Sequence, residues 1–259
     1  MLMVLSPAKK LDYDSPVRTT QHTLPVFPED TRELVGVMRR LSAGDLAELM
    51  SLSDALARLN AERYAAWVDA PDTAHARQAA LAFNGDVYEG LRAAELSDAR
   101  LAWAQDHLAI LSGLYGVLRP LDLIQPYRLE MGTRLRTARG HTLYEFWGDR
   151  IAAELNRRLD ALDGERVLLN LASQEYFKSV DLRTLRARVV ECVFQDEKNG
   201  AWKVISFHAK RARGLMARHV IDHAAKRVSD LRKFTAGGYA FAAEASSPNR
   251  LVFRRPHQG

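Results

Sequence analysis

Three short apolar runs punctuate the chain, each closing on small residues. They are 2–5 before Ser6 and Pro7, 108–111 before Ser112 and Gly113, and 167–171 before Ala172 and Ser173. A continuous apolar run without alternation is the pattern of a strand buried on both faces. The stretches between the runs are mostly helical in period and far longer than hairpin turns. They therefore predict helical crossovers and a largely parallel or mixed central sheet. Ligands of open α/β sheets sit beyond the carboxyl ends of the strands, which is where the three polar closures fall.

From residue 28 to about 91 the pattern is helical. Leu34, Val35, Met38 and Leu41 share one face, then Leu46, Leu49 and Met50, then Leu56, Leu59, Trp67 and Val68, with Ser42 and Ser53 placed as N-caps. A single long helix is predicted over 142–162, where Leu143, Phe146, Trp147, Ile151, Leu155, Leu159 and Leu162 form a core stripe that Asp163 and Gly164 end. Past Leu182 the period changes. The β-rich runs 188–196 and 202–207 flank Glu197-Lys198-Asn199-Gly200, a hairpin signal, and 240–245 with 250–253 predict a second strand pair. The expected class is mixed α/β: a largely parallel central sheet, helical layers and C-terminal β-hairpins. One domain over 1–259 is the simplest organisation, with 254–259 as a frayed tail.

Composition narrows the function classes. A chain of 259 residues with 47% hydrophobic residues can bury a sizeable core. No run approaches the roughly 18 apolar residues of a membrane span, and the first apolar run lacks the basic flank of a secretory signal. The expected location is the cytoplasm, with no membrane partner; a monomer is compatible with everything read here. The single cysteine, Cys192, excludes an intrachain disulfide framework, and its neighbours Val190, Val193 and Phe194 predict a buried strand residue. His219 and His223 have i, i+4 spacing but lack the glutamate of a His-Glu-x-x-His site, so neither a metal nor another cofactor is expected. Walker, dinucleotide-binding and nucleophile-elbow motifs are absent.

The net charge of +5 is modest, but its distribution is not. Over 206–233 eight basic residues face only Asp222 and Asp230, a net +6. That segment is either the footprint of a polyanion or a solvated basic face. On a helix there, Ala209, Ala212, Met216 and Val220 share the core face, Lys210, Arg211 and Arg218 lie opposite, and Arg213 falls at the core edge, where it must find an acceptor.

Several other segments carry polar chemistry. Lys9 and Lys10 follow the first strand, placed either to meet a phosphate or to stand in solvent. Ser112, Gly113, Tyr115 and Gly116 form a glycine-flanked turn whose backbone N–H groups suit a phosphate, or simply a tight turn. Arg119, Asp122, Tyr127, Arg128 and Glu130 occupy a proline-stiffened loop: Arg can fork onto a phosphate and Tyr can stack on an unpaired base, or the charges can pair internally. After the third strand, Ser173 reads as a cap, while Tyr176 and Lys178 point to a ligand. Asn84-Gly85-Asp86 reads as a turn between two helices.

Six strings, in order along the chain, resemble the YaaA peroxide stress-resistance family. They are Ser6-Pro7-Ala8-Lys9-Lys10-Leu11-Asp12, 83–88 (FNGDVY), 111–122 (LSGLYGVLRPLD), 126–132 (PYRLEMG), 170–178 (NLASQEYFK) and 205–218 (ISFHAKRARGLMAR). The resemblance implies a cytoplasmic protein associated with survival of hydrogen peroxide and with limiting unincorporated iron. It also implies a DNA-binding fold with a positively charged cleft and a helix-hairpin-helix element; it brings no settled catalytic activity or cofactor. The glycine spacing of 112–116 is not the usual one for such a hairpin. Residues and resemblance together predict a DNA-binding cleft built from Lys9, Lys10, Arg119, Arg128, Lys178, Lys210 and Arg213, with Arg218 and the 112–116 turn beside it and Tyr115, Tyr127 or Tyr176 stacking on distorted bases. The competing expectation is an enzyme acting on a nucleobase or nucleotide in the same cleft, with Lys9 or Asp122 as nucleophile or general base.

Overall fold

The computed structural model describes residues 1–256. Strand β1 (Leu2–Leu5) is buried at every position. The chain then leaves the main sheet through β2 (Lys10–Leu11) and enters three helices, α1 (Pro28–Met38), α2 (Ala43–Met50) and α3 (Asp54–Ala65). Ser42 and Ser53 cap α2 and α3 as their positions predict; Ser42 Oγ accepts from the Asp45 N–H at 3.2 Å while the Asp45 carboxylate accepts from the Ser42 N–H at 2.8 Å. Next come β3 (Arg77–Gln78), α4 (Ala79–Ala82), β4 (Phe83–Asn84), α5 (Asp86–Leu91) and α6 (Asp98–His107). β4 pairs with β2, so Asn84 lies opposite Lys10.

The chain re-enters the main sheet as β5 (Leu108–Ser112), folds back as β6 (Gly116–Leu118), and pairs β7 (Leu123–Ile124) with β3. Helices α7 (Leu143–Trp147) and α8 (Arg150–Asp160) cross to β8 (Val167–Asn170), and α9 (Gln174–Phe177) leads to β9 (Arg188–Lys198) and β10 (Ala201–Lys203). The chain closes with α10 (Ser206–Asp222), α11 (Val228–Leu231), β11 (Ala240–Phe241) and β12 (Arg250–Arg255).

The main sheet has the order β11-β12-β9-β8-β1-β5-β6, with β10 also on β9. β12, β9, β8, β1 and β5 run parallel, and β6, β10 and β11 pair antiparallel at the margins. Met3 of β1 lies between Leu108 and Leu169, so the three apolar runs read from the sequence are adjacent central strands. Parallel strands need long crossovers, and helical segments supply them. Cys192 is buried in β9, where burial pushes its thiol above the ordinary range.

Several expectations change. The stretch read as helical over 28–91 is interrupted by β3 and β4, and Leu56 and Leu59 are exposed instead of packed. The helix over 142–162 is two helices, because the chain breaks at Gly148; the apolar stripe continues because Trp147 and Ile151 both reach the core. Ser206 and Phe207 open α10 rather than ending a strand. Within 240–245 only Ala240 and Phe241 pair in the sheet, and Ala243–Ala245 is a 3-10 turn. Arg254 and Arg255 belong to β12 instead of a tail, and 257–259 lie outside the described residues.

The tightest helix contact joins α5 to α10. A Cβ on Gly214 would fall 1.8 Å from the Val87 carbonyl oxygen, and one on Gly90 2.3 Å from that of Arg211. Two glycines facing each other let these backbones touch, so the start of α5 is held against the basic half of α10. Gly214→Ala forces the helices apart. It is expected to cost about 1–3 kcal/mol in urea unfolding, the usual penalty of overpacking, with the same change at exposed, unopposed Gly36 costing nothing comparable.

Candidate functional site

At the carboxyl ends of β1 and β8 lies a cleft of about 460 Å³. Its floor is a serine clasp: Ser6 Oγ accepts from the Ser173 N–H at 2.8 Å and lies 3.3 Å from Ser173 Oγ, while Tyr88 donates to the Ser6 carbonyl at 3.0 Å. Ser173 is also the N-cap of α9, as predicted. These bonds tie two strand ends and α5 together, which fixes the geometry of everything above them. The third predicted strand end does not open into the cleft, since β5 turns directly into β6 and Ser112 is fully buried.

Lys9, Lys10, Lys210 and Arg213 supply the positive charge of the walls, and Asp86, Glu130 and Glu175 the negative. Lys9 Nζ sits 2.8 Å from Glu130 Oε2, and the other oxygen of Glu130 takes Arg128 at 3.1 Å. Arg128 therefore stands behind the cleft, joined to it through a carboxylate. Lys10, Lys210 and Arg213 make no ion pair or side-chain hydrogen bond among the described residues. Arg213 is half-buried, and burial holds its pKa below the ordinary arginine value, opposed only by the charge of Glu191. A partly desolvated guanidinium with no protein acceptor is one that an incoming anion can engage without breaking an internal pair.

Tyr176 forms part of the wall but is itself buried, and burial raises its hydroxyl pKa well above the usual value. Glu175 accepts from the Gly132 N–H at 2.9 Å. Lys178 does not line the cleft; its ammonium lies 4.8 Å from the centre of the Tyr144 ring.

The rest of the predicted set is elsewhere. Asp122 is fully buried and accepts from Thr23 Oγ1 at 2.6 Å, the Arg119 N–H at 2.7 Å and the Arg119 guanidinium at 2.9 and 3.1 Å. Of the two readings of that loop, the internal charge pair is the one present, and Asp122 has neither access to solvent nor a spare oxygen for catalysis. Tyr115 and Tyr127 are core residues in edge-to-face contact at 5.3 Å, closed off from any base. The Tyr127 hydroxyl bonds Ser112 Oγ at 2.7 Å, and Tyr115 accepts from the Gln125 N–H at 2.9 Å.

The glycines of the 112–116 turn serve packing. A Cβ on Gly113 would meet the Leu129 carbonyl oxygen at 2.3 Å, and one on Gly116 would meet the Trp147 ring at 2.7 Å. Arg218 pairs with Asp222 at 2.8 Å and donates to the Arg92 carbonyl at 3.1 Å. The residues absent from the predicted set are Ser6, Asn84, Asp86, Glu130 and Glu175; all stand in the motif strings, where their signal was overshadowed by that of the basic residues.

An open, mostly parallel α/β sheet with a charged cleft at its strand ends and no helix, among the described residues, long and apolar enough to cross a membrane is the class of protein defined so far. The family model for the peroxide stress protein YaaA matches residues 1–245, and the chain belongs to that family. It is 66% identical to a UPF0246 protein of Bordetella petrii, over 98% of this chain and 99% of the relative. It is 63% identical to one of Bordetella pertussis over the same shares, and 62% identical to one of Delftia acidovorans over 98% of each.

Proposed function

We propose that this peroxide stress protein acts by binding DNA, duplex and distorted alike, with the backbone laid across the mouth of the cleft. The observation that carries the reading is the placement of Lys10, Lys210 and Arg213 on one cleft without carboxylate partners. The cations outside the cleft for which a DNA role was expected are engaged: Arg119 by Asp122, Arg128 by Glu130, Arg218 by Asp222, and Lys178 by the Tyr144 ring. Free cations cost least to redirect to a phosphate, because no internal pair has to be broken.

Among the described residues no group of three or more His, Cys, Asp and Glu side chains is placed to hold a metal ion. Of the two residues named for the enzyme alternative, Asp122 is sealed in the core, whereas Lys9 stands exposed in the cleft beside Glu130.

A salt titration tests the reading. Each phosphate contact releases counterions, so log K falls linearly with log salt at about 0.9 per contact. Lys210→Ala and Arg213→Ala should each flatten the slope by about one unit, and Arg218→Ala should leave it unchanged. A wild-type affinity without a salt slope would remove the proposal.

A further inference from the structure

Beyond a backbone contact, the cleft holds chemistry that a phosphate does not need. We propose that it takes up one extruded nucleotide, with the phosphate on the Lys10, Lys210 and Arg213 wall and the base edge at Asn84 and Asp86. This rests on the DNA-binding reading and names the part of the nucleic acid that enters.

Size is the first argument. About 460 Å³ lies within the range of roughly 300–1,000 Å³ of sites for single small molecules, so a duplex stays outside while one nucleotide fits. The second is the division of charge. A groove for phosphates alone gains nothing from a carboxylate, yet Asp86 lines the cleft with no ion pair or hydrogen bond among the described residues, and the adjacent Asn84 amide is equally unengaged. Both are partly buried and face the open cleft, so their polar atoms are met by solvent that a ligand can displace without breaking an internal bond. A carboxylate that only accepts, beside an amide that donates, matches the N–H groups and acceptors on the Watson–Crick edge of a base.

The third argument is position. β4 pairs with β2, setting Asn84 opposite Lys10, while the Gly90–Gly214 contact presses α5 onto α10. The base-reading pair and the cationic residues are thus held side by side in one lining. Extrusion of an unpaired or mismatched nucleotide costs less than that of a paired one, so distorted DNA would be favoured.

The test compares three duplexes by fluorescence anisotropy: one fully paired, one with a single unpaired nucleotide, and one with that nucleotide abasic. The unpaired base should bind roughly ten- to hundredfold tighter than its abasic counterpart, the worth of a good base-edge contact. Asp86→Ala and Asn84→Ala should each shrink that ratio while the salt slope stays; a ratio cancels the change in charge. Equal affinity for the base and abasic duplexes, or a ratio untouched by both variants, overturns the proposal. Calorimetry with dAMP against deoxyribose 5-phosphate separates the two levels. Preference for dAMP, lost in Asp86→Ala, with no duplex bound would keep the nucleotide pocket and remove the DNA reading. No preference in either assay removes the pocket.

Discussion

Asp122→Ala should lower the stability of the protein by about 3–5 kcal/mol, the cost of breaking a buried charge pair from one side. For a chain of this size that is on the order of 10 °C in melting temperature. The carboxylate is fully buried, and its removal leaves Thr23 Oγ1 and the Arg119 backbone N–H without an acceptor and the Arg119 guanidinium with only the Leu24 carbonyl. Thr23 belongs to the extended segment before α1, which makes a bridge to Asp122 and backbone bonds at 2.9 Å to Leu121 and 2.8 Å to Leu123. The loop, that segment and the β3–β7 pair should loosen together. Circular dichroism melting reads the loss. Because Asp122 is fully buried and does not line the cleft, DNA affinity of the folded variant, measured well below its melting temperature, should match the wild type; a selective loss of binding would restore a functional role for Asp122.

The second large effect is on binding. Lys210→Glu with Arg213→Glu turns two positive charges on the cleft negative while leaving the core face of α10 intact, since Ala209, Ala212, Met216 and Val220 carry its packing. Two phosphate contacts are lost and two repulsions added, so duplex affinity should fall by at least about a hundredfold at low salt, with a slope flatter by about two units. Reversal of Lys226 and Lys233, in the same basic stretch of sequence, should change affinity far less. Electrophoretic mobility shift at two salt concentrations measures both.

The central strands were legible because a strand buried on both faces must be apolar without interruption, and 2–5, 108–111 and 167–169 are. The Asn199-Gly200 turn was legible for a local reason, since both residues adopt positive φ. The break at Gly148 was not, because a helical stripe that resumes in phase leaves no trace in its apolar positions. Tyrosine was the main misdirection. Tyr115 and Tyr127 in a polar loop look like stacking groups, but their hydroxyls are satisfied by Gln125 and Ser112, partners that only the fold brings near.

Arg119 and Asp122 at i, i+3 spacing carried the pairing signal in the sequence itself. The cleft depended on contacts between segments more than 80 residues apart, such as Ser6 with Ser173 and Val87 with Gly214. No local pattern announces those. Asn84-Gly85-Asp86 read as a turn for the same reason: its chemistry has meaning only opposite Lys10, Lys210 and Arg213.

Lysine acetylation footprinting with and without a short DNA duplex, resolved by mass spectrometry, tests the placement of the nucleic acid directly. Protection of Lys10 and Lys210, with Lys226 and Lys233 as reactive in the complex as in the free protein, is the predicted pattern. DNA that shields Lys226 and Lys233 while Lys10 and Lys210 stay fully reactive would place the polyanion on another surface and contradict the account.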